Sequence, residues 1–538
     1  MKENKGYELL RNPRLNKGTA FTLEERKKYG LEGLLPVQVE TLDTQMLRIN
    51  EQLNQLELPI NKYIYLANLI EQNETLFYNL IMNDPSKFLP IVYTPTVGEA
   101  CEKLGHISRR IKGLFISIHQ KDHIKEILRN WPEEDIRFTV VTDGGRILGL
   151  GDLGVCGLGI PIGKLALYTG CAGVPPQYTL PIVLDTGTNN ETFLNDPLYP
   201  GLKHKRIVGK EYDDFIEAFV VAINEVYPKI CIQWEDFKGV DAIRILNTYK
   251  DKVCTYNDDI QGTAAIATAG FISISRLMQK PFIEQKFLFF GAGAAAFGIA
   301  DLLVQKFQKD GLSREEALSH IWMFDINGLL VESRTDLADY QLQFAHKGTT
   351  TNDLAAAVLQ VKPTAIIGVS TVGGAFNQQV IENMSLINER PIIFPYSNPT
   401  SHSECTAEQA YFWSKGKAIF ASGSPFAPVV YEGKTFTPGQ GNNVFIFPAM
   451  GLALFATEAK RVTDLMFITA AEAVAEQVTN TDFENGLIYP SVKDILKVSI
   501  NVAIKIAVFI FENGFAGVEK PKDIEAFVKS KMYIPLYK

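Results

Sequence analysis

Residues Lys286–Phe307 read KFLFFGAGAAAFGIADLLVQKF. A short run of large apolar residues stops at a glycine turn and resumes as a pattern with apolar side chains three and four apart, so the stretch predicts strand, tight turn and helix. Gly291, Gly293 and Ala296 fill the positions of G-x-G-x-x-A. In this motif the first glycine permits the turn, the second lets backbone approach a pyrophosphate, and a small third residue brings helix close to strand, here with Gly298 beside it. The helix N-terminus then faces the phosphates. A Gly-Ala turn chosen only for helix–strand packing is the plainer reading, but the context and the next strand argue against it.

That strand is IWMFD, ending on Asp325. It lies further from the glycines than the usual ~20 residues, because KDGLSREEALSH lengthens the crossover. A carboxylate at this strand end accepts from ribose hydroxyls and repels a 2′-phosphate. Neighbouring Ile326 and Asn327 supply no cation. The expected dinucleotide is NAD, with later strands in AIIGVS, RPIIFPYSN and AIFASGS.

Outward from this unit the texture changes twice. Before it, LFISIHQ, RFTVVTD, YTLPIVLDTG and KICIQW alternate with helical segments, a second α/β region. Earlier still, from Gly30 to about Gly113, helical spacing prevails. Two α/β regions behind a helical N-terminal part imply a cleft between domains, where ligands bind. A chain of 538 residues holds about three or four domains' worth of sequence. The formal charge of -8, with Lys and Arg spread out, leaves no footprint for nucleic acid or an anionic membrane. Six scattered cysteines without a CxxC pair read as reduced thiols. The apolar run VSINVAIKIAVFIF is too short to span a bilayer and is expected as a buried helix. With no signal core or Arg/Ser-rich address in the first residues, a cytoplasmic protein is expected.

Two acidic pairs carry the chemistry. TYNDDIQGTAA puts Asp258 and Asp259 ahead of an apolar helix. One aspartate there is an ordinary cap; the second is surplus unless a cation sits in front of it. Glu235-Asp236 ends KICIQW, and neighbouring side chains serve one site only where a strand ends. Together the pairs offer up to four carboxylates, an all-oxygen set suited to Mg²⁺ or Mn²⁺ and poor for zinc. Lys164, in GIPIGKLALYTG, is placed where burial plus a cation would lower its pKa toward that of a general base; snorkelling from an amphipathic helix is the commoner fate of such a lysine. Tyr93 of YTPTVG is a candidate proton donor, and Arg146 of TDGGRILGLGDLG a candidate carboxylate clamp.

These residues, with FTLEERKKYGLEGLLP, QWEDF, PYSNPTSHSECTAEQA, FASGSPF and FTPGQGNNVFIFP, make almost the whole chain resemble the malic enzymes. The resemblance implies that Glu235, Asp236 and Asp259 bind the cation while Asp258 supports Lys164 as base. It implies Tyr93 as proton donor and Arg146, Asn398 and Asn442 as holders of malate's carboxylates, with Asn398 also at the cofactor. It further implies an α/β architecture of a helical domain over 1–112, a split α/β domain over 113–257 and 443–514, an inserted Rossmann-like NAD-binding domain over 258–442 and a tail over 515–538. The implied assembly is a homotetramer built as a dimer of dimers, or a homodimer.

Some relatives carry a dicarboxylate activator pocket of one Glu and two Arg; here Glu40 and Arg48 match but the third position is Gln72. Loss of one cation weakens a dianion site, so little fumarate activation is expected. Two rival readings remain at this stage, a malolactic enzyme that makes lactate and a catalytically silent NAD-sensing protein.

Overall fold

The computed structural model describes residues 5–107, 110–147, 149–398 and 400–537. The N-terminal part is helical, with Leu42–Asn54, Pro59–Ile70, Glu74–Asn83 and Pro85–Val92 in succession. Each start has a local cause. Thr41, Asn73 and Asp84 accept from backbone N–H groups of the first turns, and Pro59 and Pro85 occupy first-turn positions where a missing N–H costs nothing.

The first sheet comprises β1 (Leu114–Ser117), β2 (Phe138–Thr142), β3 (Thr179–Asp185), β4 (Cys231–Trp234) and β5 (Thr255–Asn257), in the order β1-β3-β2-β4-β5. All its pairings are parallel. Its strands are almost wholly buried, hence the near-continuous apolar runs. Parallel strands deliver their C-terminal ends to one edge. Because Val141 pairs with Trp234 and Trp234 with Asn257, the segments that follow β2, β4 and β5 leave the sheet side by side. This register brings the two acidic pairs together.

The second sheet comprises β6 (Phe287–Phe290), β7 (Ile321–Asp325), β8 (Gly328–Leu329), β9 (Ala365–Gly368), β10 (Ile392–Pro395), β11 (Ile419–Ser422) and β14 (Gly439–Gln440). Between the last two, β12 (Val429–Tyr431) and β13 (Lys434–Phe436) form a separate hairpin. The order is β14-β11-β10-β9-β6-β7-β8, parallel except for the β7–β8 pair. Chain order runs outward from β6 to β7 and then reverses to β9 on the other flank, which opens the crevice where a doubly wound sheet binds its ligand. The long crossover expected before Asp325 is present as helix Arg314–Ser319, started by a Ser313/Glu316 capping box.

Helix Gly159–Ala172 runs between the first sheet and the C-terminal helices Phe447–Thr457 and Ile495–Glu512. Gly154–Ala172 is long and apolar enough to cross a membrane by length and composition, yet its most apolar window is 94% buried inside the protein. VSINVAIKIAVFIF lies within helix Ile495–Glu512, whose inner face carries Val502, Ile506 and Ile510 while Asn501 and Lys505 are exposed. All six cysteines are free, and Cys254 alone among them is not fully buried.

Candidate active site

The acidic turn explains its own sequence. After β5 the chain makes a wide π-type turn over Asp258–Gly262 before helix Thr263–Met278, a local widening common at functional sites. The cap is supplied by Asn257, whose Oδ1 accepts from Ile260 N at 3.0 Å. Both aspartates are thereby released from capping. Asp258 is fully buried, and its Oδ1 has no hydrogen-bond partner. A Cβ on Gly262 would lie 1.9 Å from that oxygen, so the glycine of DDIQG makes the turn possible.

At the end of β4, Asp236 adopts a positive φ of 58°. This breaks strand alternation just where Glu235 and Asp236 would otherwise point apart. Asp236 N donates to Asp259 Oδ2 at 2.7 Å, and Asp236 O accepts from Arg146 N at 3.0 Å. Three segments are thus joined through backbone. Glu235 Oε2 accepts from Gln233 Nε2 at 2.6 Å, and Tyr168 and Tyr256 both donate to Gln233 Oε1. This buried relay fixes the rotamer of Glu235.

Lys164 is 2% exposed, with Nζ 2.8 Å from Glu235 Oε1 and 2.5 Å from Asp258 Oδ2. Phe447 and Tyr93 present ring faces to the amine at 4.2 and 5.6 Å. Gly163 makes room for Tyr93, since a Cβ there would lie 2.9 Å from Tyr93 Cδ2. The lowering expected for Lys164 is that of burial together with a cation; of these two, burial is opposed by the carboxylates bonded to the amine. Burial is the largest single effect and does pull it down, but Asp258, Glu235 and Tyr93 outweigh it and hold the amine well above its ordinary value. Burial raises the Tyr93 phenol well above its ordinary range; Lys164 opposes this and Glu235, Asp236 and Asp258 add to it, so the hydroxyl keeps its proton.

Arg146 is exposed, and no ion pair engages its guanidinium among the described residues. Its loop is braced by residues that sequence reasoning missed. Arg206 pairs with Asp143 at 3.0 Å and with Asp152 at 2.7 Å, while Asp143 Oδ1 accepts from Gly145 N at 2.8 Å. The two predicted asparagines are not bonded to the acidic cluster. Asn398, just past β10, accepts from Ser424 Oγ and donates to Tyr396 O. Asn442 accepts from Val444 N at 3.0 Å. Its neighbour Asn443 is the one that reaches the cluster, donating to Asp258 Oδ2 at 3.1 Å; the tandem Asn-Asn was the available signal.

Among the described residues, no three of His, Cys, Asp and Glu stand ready-spaced around a metal position. The reason is visible in the pairings: Lys164 draws Glu235 and Asp258 onto itself, and Asp259 takes the Asp236 amide. The donor chemistry nevertheless fits a hard cation. Burial pushes Glu235 far above the usual carboxylate range; Lys164 counters it, and Asp259, Asp258 and Asp236 push it further. Burial also raises Asp259, with Lys164 opposing. Two carboxylates close on the Lys164 amine, Asp259 and Asp236 stand beside them, and an oxygen of Asp258 is orphaned.

At the dinucleotide turn Gly291 has φ 111°, and a Cβ would lie 2.7 Å from Val369 O. Gly293 is the residue before helix Ala294–Lys309 and is open on its outer side; Ala296 is fully buried. Gly298 packs differently from expectation. Its Cβ position lies 3.0 Å from Ile260 Cγ2, so it admits the acidic turn rather than the strand. Asp325 meets a cation that its neighbours in sequence did not reveal. Arg334 is bidentate to it at 2.8 and 3.0 Å and also donates to Asp336.

Family models for the malic enzyme N-terminal domain and the malic enzyme NAD binding domain match residues 70–250 and 260–510. The mitochondrial NADP-dependent malic enzyme of Mus musculus is 48% identical over 538 residues, 99% of this chain and 89% of that protein. The NADP-dependent malic enzyme of Homo sapiens is 48% identical over 98% of this chain and 93% of its own length. Among solved structures, the malic enzyme of Entamoeba histolytica shares the fold with a TM-score of 0.57 at 21% identity, covering 93% of this chain and 90% of that one. That of Pyrococcus horikoshii does so with 0.56 at 24%, covering 83% and 88%. The expectation of a cytoplasmic location is overturned, because relatives from mouse and human at 48% identity are named mitochondrial. The chain belongs to the malic enzyme family, whose reaction is the oxidative decarboxylation of malate with a nicotinamide dinucleotide.

Proposed function

We propose that this enzyme converts malate to pyruvate and CO₂ with NAD, at a divalent cation, Mg²⁺ or Mn²⁺, held by Glu235, Asp236 and Asp259. One observation carries the reading. A buried amine lies within 2.8 Å of carboxylates from two separate segments, on the edge of a sheet whose neighbouring turn packs on the dinucleotide helix. When bound, the dinucleotide accepts hydride from C2 and the cation withdraws electron density from the substrate oxygens.

Lys164 takes the proton of the C2 hydroxyl, with Asp258 holding the amine in place. Arg146, Asn398 and Asn442 grip the substrate carboxylates, and the keto acid formed is oxaloacetate. Loss of CO₂ leaves C3 electron-rich; Tyr93 protonates it. Burial that keeps the phenol protonated suits this role. Lys164 serves as a base only when positive charge has drawn Glu235 away from it, so cation binding and base strength are linked.

NAD preference rests on the cluster Asp325–Arg334–Asp336. Both Arg334 nitrogens that meet Asp325 are already engaged, and the trio keeps one net negative charge. A 2′-phosphate would have to displace a carboxylate from a bidentate pair. A second reading, NADP, is favoured by the same guanidinium, since an arginine at this position accommodates a 2′-phosphate, and by the names of the relatives. The test is malate turnover with NAD or NADP, with and without Mn²⁺, following reduced nucleotide and pyruvate. The expected kcat/KM favours NAD by at least about tenfold, equivalent to ~1.4 kcal/mol, and Asp325→Asn narrows the ratio. Equal or better use of NADP contradicts the NAD reading. Lactate without net reduced nucleotide would mark a malolactic enzyme instead.

The expected absence of strong fumarate activation gains a structural reason. Arg48 is already paired with Glu40, which also accepts from Thr19, and Gln72 adds no charge.

A further inference from the structure

Away from the acidic cluster, two histidines meet across the far half of the first sheet. His119 lies in the helical turn Ile118–His123 that follows β1, a turn begun by a Ser117/Gln120 capping box. His204 lies in the long connection after β3, and its backbone oxygen accepts from Thr188 N at 3.1 Å. β1 and β3 are neighbours with Ser117 opposite Asp185, so the two segments leave the same edge together. Gly187, at φ 86°, admits the second ring, since a Cβ there would lie 2.7 Å from His204 Nδ1.

The ring nitrogens are arranged for a shared ligand. His204 Nδ1 lies 2.8 Å from Lys205 O, and a carbonyl only accepts, so the proton of a neutral His204 sits on Nδ1 and Nε2 carries a lone pair. His119 Nε2 faces that lone pair at 3.3 Å, with ring centroids 5.4 Å apart. Two imidazole nitrogens at ~2.0–2.1 Å from one tetrahedral ion stand about 3.3–3.4 Å apart. A metal-bound imidazole characteristically donates its other N–H to a backbone carbonyl, as His204 does.

We propose that His119 and His204 form a second metal site, for a late first-row divalent cation such as Zn²⁺, Ni²⁺ or Cu²⁺. Imidazole donors select these ions, whereas the carboxylate cluster suits Mg²⁺ or Mn²⁺. Among the described residues no third His, Cys, Asp or Glu completes the set, so water fills the remaining positions and the ion exchanges freely. Two neutral rings bind without releasing a proton, because His119 moves its own to Nδ1. The ion ties the turn after β1 to the connection whose Arg206 braces Asp143 and Asp152.

The test uses the full-length enzyme saturated with Mg²⁺. Zn²⁺ titration should show one more bound equivalent in the wild type than in the double variant His119→Gln/His204→Gln. Substoichiometric Cu²⁺ should give an electron paramagnetic resonance spectrum with imidazole nitrogen coupling, lost in either single variant. Malate turnover with Mg²⁺ should be unchanged in all three, which shows that they fold. Equal Zn²⁺ stoichiometry in wild type and double variant, or nitrogen coupling that survives both single substitutions, overturns the proposal.

Discussion

Replacing Lys164 by alanine is expected to lower kcat by about 10²–10⁴-fold, the range general acid–base groups contribute. Among the described residues the amine is the one cation bonded to Glu235 and Asp258, and its helix is buried around it. Alanine also strips two buried carboxylates of their counter-charge, which by itself destabilises the site. Lys164→Arg separates these effects. It restores positive charge but remains protonated at every working pH, so it should fold and bind dinucleotide like the wild type while staying nearly as inactive as the alanine variant. Turnover of either variant within tenfold of the wild type would remove Lys164 from the chemistry.

The second large effect is on removal of divalent cations, which should reduce malate turnover to background and be reversed by Mn²⁺ or Mg²⁺. The argument is electrostatic. Glu235, Asp258 and Asp259 lie together with Asp236 beside them, the Lys164 amine is bonded to Glu235 and Asp258, and burial lifts Glu235 and Asp259 above their ordinary values. Such a cluster reaches full ionisation only beside added positive charge. Protons compete for the same oxygens, so the apparent Mn²⁺ affinity should fall as pH is lowered. Full activity after exhaustive chelation, checked by elemental analysis, would contradict the role assigned to these residues.

Much of this architecture was legible because its causes are local. The apolar strand before Gly291, the small residues of the turn and the helical spacing behind it are all set by neighbours in sequence, and the strands IWMFD, AIIGVS and RPIIFPYSN stand where they were read. The acidic pairs were legible as a surplus of charge. What the sequence hid depends on residues far apart in it. Asn257 takes the capping role that Asp258 or Asp259 was offered, a choice made by the wide turn rather than by propensity. Arg334 reaches back to Asp325 only because β8 folds antiparallel onto β7. The sign of the shift at Lys164 follows from carboxylates on two other segments, which outweigh the burial its own helix predicted. Gly298 reads in the sequence as a strand contact and instead seats Ile260, so the dinucleotide helix packs directly on the turn that carries Asp258 and Asp259.

The central claim is that oxygens from the end of β4 and from the turn after β5 hold one divalent ion. It is tested most directly by titrating Mn²⁺ into wild type, Glu235→Gln and Asp259→Asn and counting free ion by electron paramagnetic resonance. One tight site in the wild type, lost or greatly weakened in both variants while dinucleotide binding persists, is the predicted result. Wild-type Mn²⁺ affinity in Asp259→Asn would contradict it.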